Sequence, residues 1–136
     1  MSQGSRRPCV LLADDHAGMR TAVRRLLLPS CDVVGCVLDG DSLVDGVAQL
    51  HPDVVLLDLS LPGRLQVLEI CRLITSGTPD VKVVVFTFHD DANLERRARE
   101  AGASGYVWKL RAADDLLRTI HAVVDGRSSR DETDAN

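Results

Sequence analysis

The stretch that most constrains this chain is Val54–Leu57, an unbroken Val-Val-Leu-Leu run with Pro52 before it and Pro62-Gly63 after it. A run that short with no polar face predicts a strand buried on both sides, as in parallel sheets covered by helices. The first polar residue after it is Asp58. Open parallel sheets present their working groups at the carboxyl ends of strands, so a carboxylate there is placed for chemistry rather than packing.

The same pattern recurs along the chain. Cys9–Ala13 is apolar and ends in Asp14-Asp15-His16; residues 32–38 form a second run; residues 81–88 form a β-branched third that reaches Thr87; and Gly105–Trp108 ends at Lys109. Between these runs lie apolar residues at helical spacing: Met19, Val23, Leu26 and Leu27; Leu43, Val47 and Leu50; Val67, Ile70, Cys71 and Ile74; and, last, Leu116, Ile120 and Val123. Residues 93–101 also read as a helix, but only Leu94, Ala98 and Ala101 are apolar, so it should be lightly anchored. Five strand–helix alternations predict an α/β doubly wound parallel sheet with Asp14, Asp15, Asp58, Thr87 and Lys109 on one edge.

Composition narrows the function classes. With 136 residues, 45% of them apolar and only 3% aromatic, one domain with an aliphatic core is expected. We place that domain at residues 9–125, with a disordered N-terminus over 1–8 and a polar tail or linker over 126–136. A formal charge of -4 gives no general attraction to nucleic acid or anionic membrane. Cys9, Cys31, Cys36 and Cys71 lack C-x-x-C spacing and read as free thiols in a reducing compartment. No apolar stretch is long enough to span a bilayer, and a soluble cytoplasmic protein is expected.

Three carboxylates drawn together repel unless they share a proton or hold a cation. An oxygen-only donor set with few protein ligands suits Mg²⁺ (or Mn²⁺), which commonly completes its shell with phosphate oxygens. Within such a site Asp58 can act as a nucleophile toward phosphorus, with Lys109 as fixed cation and Thr87 as a hydroxyl for a phosphoryl oxygen. Taken singly, each residue has a bland explanation: a turn former, a surface lysine, a strand threonine. Five of the right types at successive strand ends carry the argument together. The histidines His16, His51, His89 and His121 show no ligand spacing, and ordinary surface or loop roles are expected for all but His89, two residues beyond Thr87.

The motifs Leu-Leu-Ala-Asp-Asp-His, Val-Val-Leu-Leu-Asp-Leu-Ser-Leu-Pro-Gly, Val-Val-Val-Phe-Thr and Ala-Gly-Ala-Ser-Gly-Tyr-Val-Trp-Lys resemble those of receiver domains of bacterial two-component response regulators. The resemblance implies a flavodoxin-like sheet of order 2-1-3-4-5 with five helices. It implies a signalling switch, not a turnover enzyme, in which Asp58 takes a phosphoryl group from a sensor histidine kinase or phosphotransfer protein. Asp15 and Asp58 would be direct Mg²⁺ ligands, Asp14 a water-mediated one, and the Ser60 carbonyl a further one. Thr87 would be the switch hydroxyl, Lys109 the phosphate-binding lysine and Tyr106 the aromatic that turns inward. The fourth helix, fifth strand and fifth helix would form the output face, with a homodimer as one outcome of phosphorylation. Leu110, where many receivers have proline, resembles the subfamily that carries a C-terminal helix-turn-helix domain, although this chain alone is not expected to contact nucleic acid. Two further departures stand out: the loop after Pro62 carries one extra residue, and the bulk of Phe88 is expected to narrow access to Asp58. A phosphohydrolase is disfavoured because Ser60 stands where its general acid would be, and a phosphorylation-independent interaction module is the alternative.

Overall fold

In the computed structural model, which describes residues 7–126, five parallel strands form one sheet in the order β2-β1-β3-β4-β5. Most of the expected N-terminal segment and nearly all of the expected tail lie outside the described residues. Arg7 and Pro8 already belong to the fold. The Arg7 guanidinium donates to the carbonyls of Leu28 and Cys31, and the Pro8 carbonyl accepts from Asp32 N–H.

The elements are β1 (Cys9–Ala13), α1 (Ala17–Leu27), β2 (Asp32–Val37), α2 (Gly40–Leu50), β3 (Val54–Leu57), α3 (Val67–Gly77), β4 (Lys82–Thr87), α4 (Ala92–Glu100), β5 (Gly105–Trp108) and α5 (Ala112–Val124), with a 3-10 turn over Lys109–Arg111. Two expected strands are longer than those observed. β2 stops before Leu38 and β4 before Phe88, both about half exposed, and β4 begins after Val81, which is buried but whose N–H closes a turn on the Thr78 carbonyl at 3.0 Å. Asp39-Gly40 opens α2. The Asp39 carboxylate accepts from Ser42 N–H at 2.7 Å and caps α2. Asp91 does the same for α4, accepting from Asn93 and Leu94.

Strand alternation divides the core between the two faces of the sheet. Leu11, Val55, Leu57, Val83 and Val85 face α2, α3 and α4, where they meet Leu43, Ile70 and Ala98. Val10, Leu12, Leu56, Val84 and Phe86 face α1 and α5, where they meet Val23, Leu27, Leu116 and Ile120. Each fully buried Leu or Ile contributes about 1.5–3 kcal/mol relative to exposure. That gradient forces the chain to wind helices over both faces.

α4 is the exception. Ala98 is its only buried residue, and its anchorage is concentrated at its C-terminal end, where the Thr75 hydroxyl of α3 donates to the Ala101 carbonyl at 3.2 Å. Gly102 follows with φ +107, and a Cβ there would collide with Thr75. The expectation of a lightly anchored helix agrees with this packing. Among the described residues, no helix is long and apolar enough to cross a membrane.

Candidate functional site

Parallel register brings the strand ends together. Asp58 N–H donates to the Ala13 carbonyl at 3.0 Å, so the residue after β3 is stitched to the end of β1 and Asp58 lies beside Asp14. Thr87 ends the neighbouring β4 opposite Trp108 of β5, and Lys109 follows directly. Asp14, Asp58, Thr87 and Lys109 are all buried, while Asp15 is exposed at the mouth.

The buried charges are paired. Lys109 Nζ lies 2.7 Å from Asp14 Oδ2 and 3.4 Å from Asp58 Oδ2, between the rings of Phe86 (5.3 Å to the centroid) and Phe88 (4.8 Å). Burial works against ionisation of Asp14. Hydrogen bonds from Lys109 and from His16 outweigh it and hold the carboxyl below its ordinary range. Both oxygens of Asp58 are engaged. Oδ1 accepts from Ser60 N–H at 3.0 Å, and the Ser60 hydroxyl lies 3.0 Å from Oδ1 and 2.9 Å from Oδ2. The turn after β3 therefore fixes the carboxylate and leaves Oδ2 facing Lys109. The sequence pointed to the Ser60 carbonyl as a metal ligand; the Ser60 hydroxyl and N–H, not singled out there, both touch Asp58.

His16 corrects the expectation of an ordinary loop histidine. Its N–H donates to Asp14 Oδ1 at 2.9 Å, a turn that folds the ring back over the acids. Nδ1 then lies 2.7 Å from Asp14 Oδ1, 3.3 Å from Asp58 Oδ2 and 3.5 Å from Asp15 Oδ1. The hydrogen bond with Asp14 raises the imidazole pKa above its ordinary value. The Phe88 ring meets the imidazole edge to face, with centroids 6.4 Å apart. Spacing between histidines gave no hint of this. The available signal was a histidine directly after two strand-end acids.

His89, singled out beforehand, enters through its backbone. Its N–H donates to the Thr87 hydroxyl at 3.2 Å, and its carbonyl accepts from the Tyr106 hydroxyl. Trp108 Nε1–H donates to the Phe88 carbonyl at 2.9 Å, so the segment after β4 is tied to β5 at successive residues. Burial pushes the Tyr106 phenol upward, and the hydroxyl stays a donor at neutral pH. The loop after Pro62, with Leu94 of α4, borders a groove of about 400 Å³. Leu110 forms part of the 3-10 turn and is exposed, and no cis peptide occurs among the described residues.

The donor set fits a divalent cation. Ligand atoms of Asp14, Asp15, His16 and Asp58 lie within 4.8 Å of one another, and three of the four residues offer carboxylate oxygens.

Comparison with known proteins agrees with this geometry. The family described as "Response regulator receiver domain" matches residues 10–121. Response regulator UvrY of Escherichia coli K12 is 37% identical over 120 residues, 87% of this chain and 55% of that protein. Transcriptional regulatory protein DegU of Brevibacillus brevis is 35% identical over 119 residues, 86% of this chain and 50% of that protein. The chain thus spans about half the length of these curated relatives. A two-component response regulator of the LuxR family from Aurantimonas sp. SI85-9A1 superposes with a TM-score of 0.83 at 33% identity, covering 90% of this chain and 89% of that one. The signal receiver domain of NarL from Mycobacterium tuberculosis gives 0.82 at 27% identity, covering 89% and 98%.

Proposed function

This chain belongs to the response regulator receiver domains, and on that premise we propose that Asp58 is the phosphoryl acceptor of a two-component switch. The donor is a phosphohistidine on a sensor kinase or phosphotransfer protein. An Asp58 carboxylate oxygen attacks phosphorus, the P–O bond of an acyl phosphate forms, and the P–N bond breaks with its electron pair returning to the donor imidazole. The observation that carries this reading is the setting of Asp58 at the end of β3, 3% exposed and held by Ser60, with Oδ2 3.4 Å from the Lys109 ammonium.

The residues divide the work. Ser60 N–H orients the nucleophile, and Lys109, held by Asp14 and two aromatic rings, supplies a fixed positive charge for the transferring oxygens. The Thr87 hydroxyl donates to a phosphoryl oxygen. Asp15 and Asp58, with Asp14 behind them, would hold Mg²⁺ or Mn²⁺, together with the Ser60 carbonyl. When bound, the ion neutralises charge on the phosphoryl oxygens. The chain promotes its own phosphorylation and hydrolysis without being a turnover enzyme.

The path outward is short. A phosphoryl group that draws in the Thr87 hydroxyl competes with its bond to His89 N–H, and the His89 carbonyl is the partner of Tyr106. Rearrangement there reaches α4, β5 and α5, the proposed signalling face, with homodimerisation as the readout.

Intact mass after incubation with acetyl phosphate and Mg²⁺ tests this. One phosphoryl group should be gained by the unmutated protein, and none by Asp58→Ala or without metal. Failure of the folded protein to gain it under any condition would replace the switch with a phosphorylation-independent interaction module.

A further inference from the structure

We propose that His16 supplies a nitrogen ligand to the divalent cation of this pocket and shifts its preference from Mg²⁺ toward Mn²⁺ and Co²⁺. The inference rests on the pocket being a divalent-cation site. An octahedral ion with bonds of about 2.1 Å places neighbouring donor atoms about 3 Å apart. Without a metal, His16 Nδ1 is hydrogen-bonded to Asp14 Oδ1 at 2.7 Å and stands 3.3 and 3.5 Å from oxygens of Asp58 and Asp15; an ion that takes this nitrogen displaces any Nδ1 proton to solvent and finds it at the spacing of one more donor around a shared centre.

The imidazole is held in that position from two sides. Its own backbone N–H is fixed on Asp14, and the Phe88 ring closes on the outer side at an interplanar angle of 88°. The side chain is 49% exposed, so it is not committed to the core and can follow a ligand. A phenylalanine at position 88 thus gains a second role besides shielding the site. It packs against the ring that would ligate.

Metal chemistry gives the consequence. Mg²⁺ favours oxygen and gains little from imidazole, whereas affinity for nitrogen donors rises from Mn²⁺ to Co²⁺. A pocket of carboxylates alone discriminates weakly between these ions, and one imidazole should separate them.

Titration of the whole protein with MgCl₂, MnCl₂ and CoCl₂, followed by Trp108 fluorescence or calorimetry, reads the preference. Pulsed electron paramagnetic resonance of bound Mn²⁺ reads the ligand directly. The unmutated protein should show nitrogen coupling to Mn²⁺ that His16→Ala lacks, and His16→Ala should lose affinity for Co²⁺ on the order of tenfold while its affinity for Mg²⁺ stays within about threefold. His16→Asn, which like His16→Ala keeps the backbone N–H bond to Asp14 and lacks the imidazole, should likewise show no imidazole nitrogen coupling. Mn²⁺ bound without nitrogen coupling would overturn the proposal and leave the metal site standing. Equal tightening of all three ions in His16→Ala would overturn it too, marking His16 as a competing cation. No binding of any ion would remove the metal site itself, and the proposal with it.

Discussion

Lys109 Nζ and Asp14 Oδ2 meet at 2.7 Å with both side chains wholly buried, across 95 residues of sequence. Removing one partner of such a pair strands the other charge. Lys109→Met is expected to destabilise the protein by about 3 kcal/mol in urea denaturation at neutral pH. Asp58→Asn, which relieves repulsion among the acids, should cost far less.

The acidic cluster predicts metal-linked stability. An ion that binds only the folded chain adds about 2.7 kcal/mol at roughly a hundred times its Kd. Urea midpoints with and without MgCl₂ should separate accordingly, and the separation should vanish in Asp15→Ala and Asp58→Ala.

Phe88 lies over Lys109 at 4.8 Å from ring centroid to nitrogen. Phe88→Ala removes a cation–π contact of about 0.5–1 kcal/mol and uncovers the site. The phosphorylated form of this variant, with water freer to reach Asp58, should lose its phosphoryl group faster than the unmutated protein, as followed by intact mass over time.

Burial pushes the Cys71 thiol up to about 11 and also raises Cys31, whereas Cys9 and Cys36 are partly exposed. Only the thiolate alkylates. Iodoacetamide on the native protein should label Cys9 and Cys36 and spare Cys31 and Cys71, and all four should label in urea. Labelling of Cys71 at the rate of Cys36 would contradict the packing around α3.

The Asp39 cap carries a pH signature. Hydrogen bonding to Ser42 holds its carboxyl below the ordinary value of 3.8, so the folded state binds the proton less well than the unfolded chain. The contribution is therefore present above that value and lost as pH falls through the lower folded value. Thermal melts of Asp39→Ala should lie below those of the unmutated protein at neutral pH and approach them in strong acid. Asp39→Asn, which keeps the cap without the titration, should lose less stability on acidification.

The sheet was legible because its strands are buried on both faces and so read as uninterrupted apolar runs. The bounds of β1, β3 and β5 follow from where polarity returns at Asp14, Asp58 and Lys109. Strands ending in a bulky apolar residue were misjudged: Leu38 and Phe88 look like continued strand, yet both lie past the end of the sheet and are about half exposed. The grouping of Asp14, Asp58, Thr87 and Lys109 was legible for the same reason as the strands. The part played by His16 was not, because a side-chain-to-backbone turn sets the direction of its ring and hydrophobic period does not encode such turns. Ser60 was hidden likewise, since the bend that aims its hydroxyl at Asp58 belongs to the loop.

The uneven fastening of α4 makes it a lever. Its fulcrum is the Ala98–Gly102 end, seated on Thr75; its free end is Ala92, next to the segment that β5 holds by two hydrogen bonds, Tyr106 to His89 and Trp108 to Phe88. Nine residues give an arm of about 13 Å, so a swing of about 10° carries the free end about 2 Å while hardly disturbing the seat. Releasing the Tyr106 and Trp108 bonds at this catch is thus expected to let the amino end of α4 swing while its seat on Thr75 stays in place.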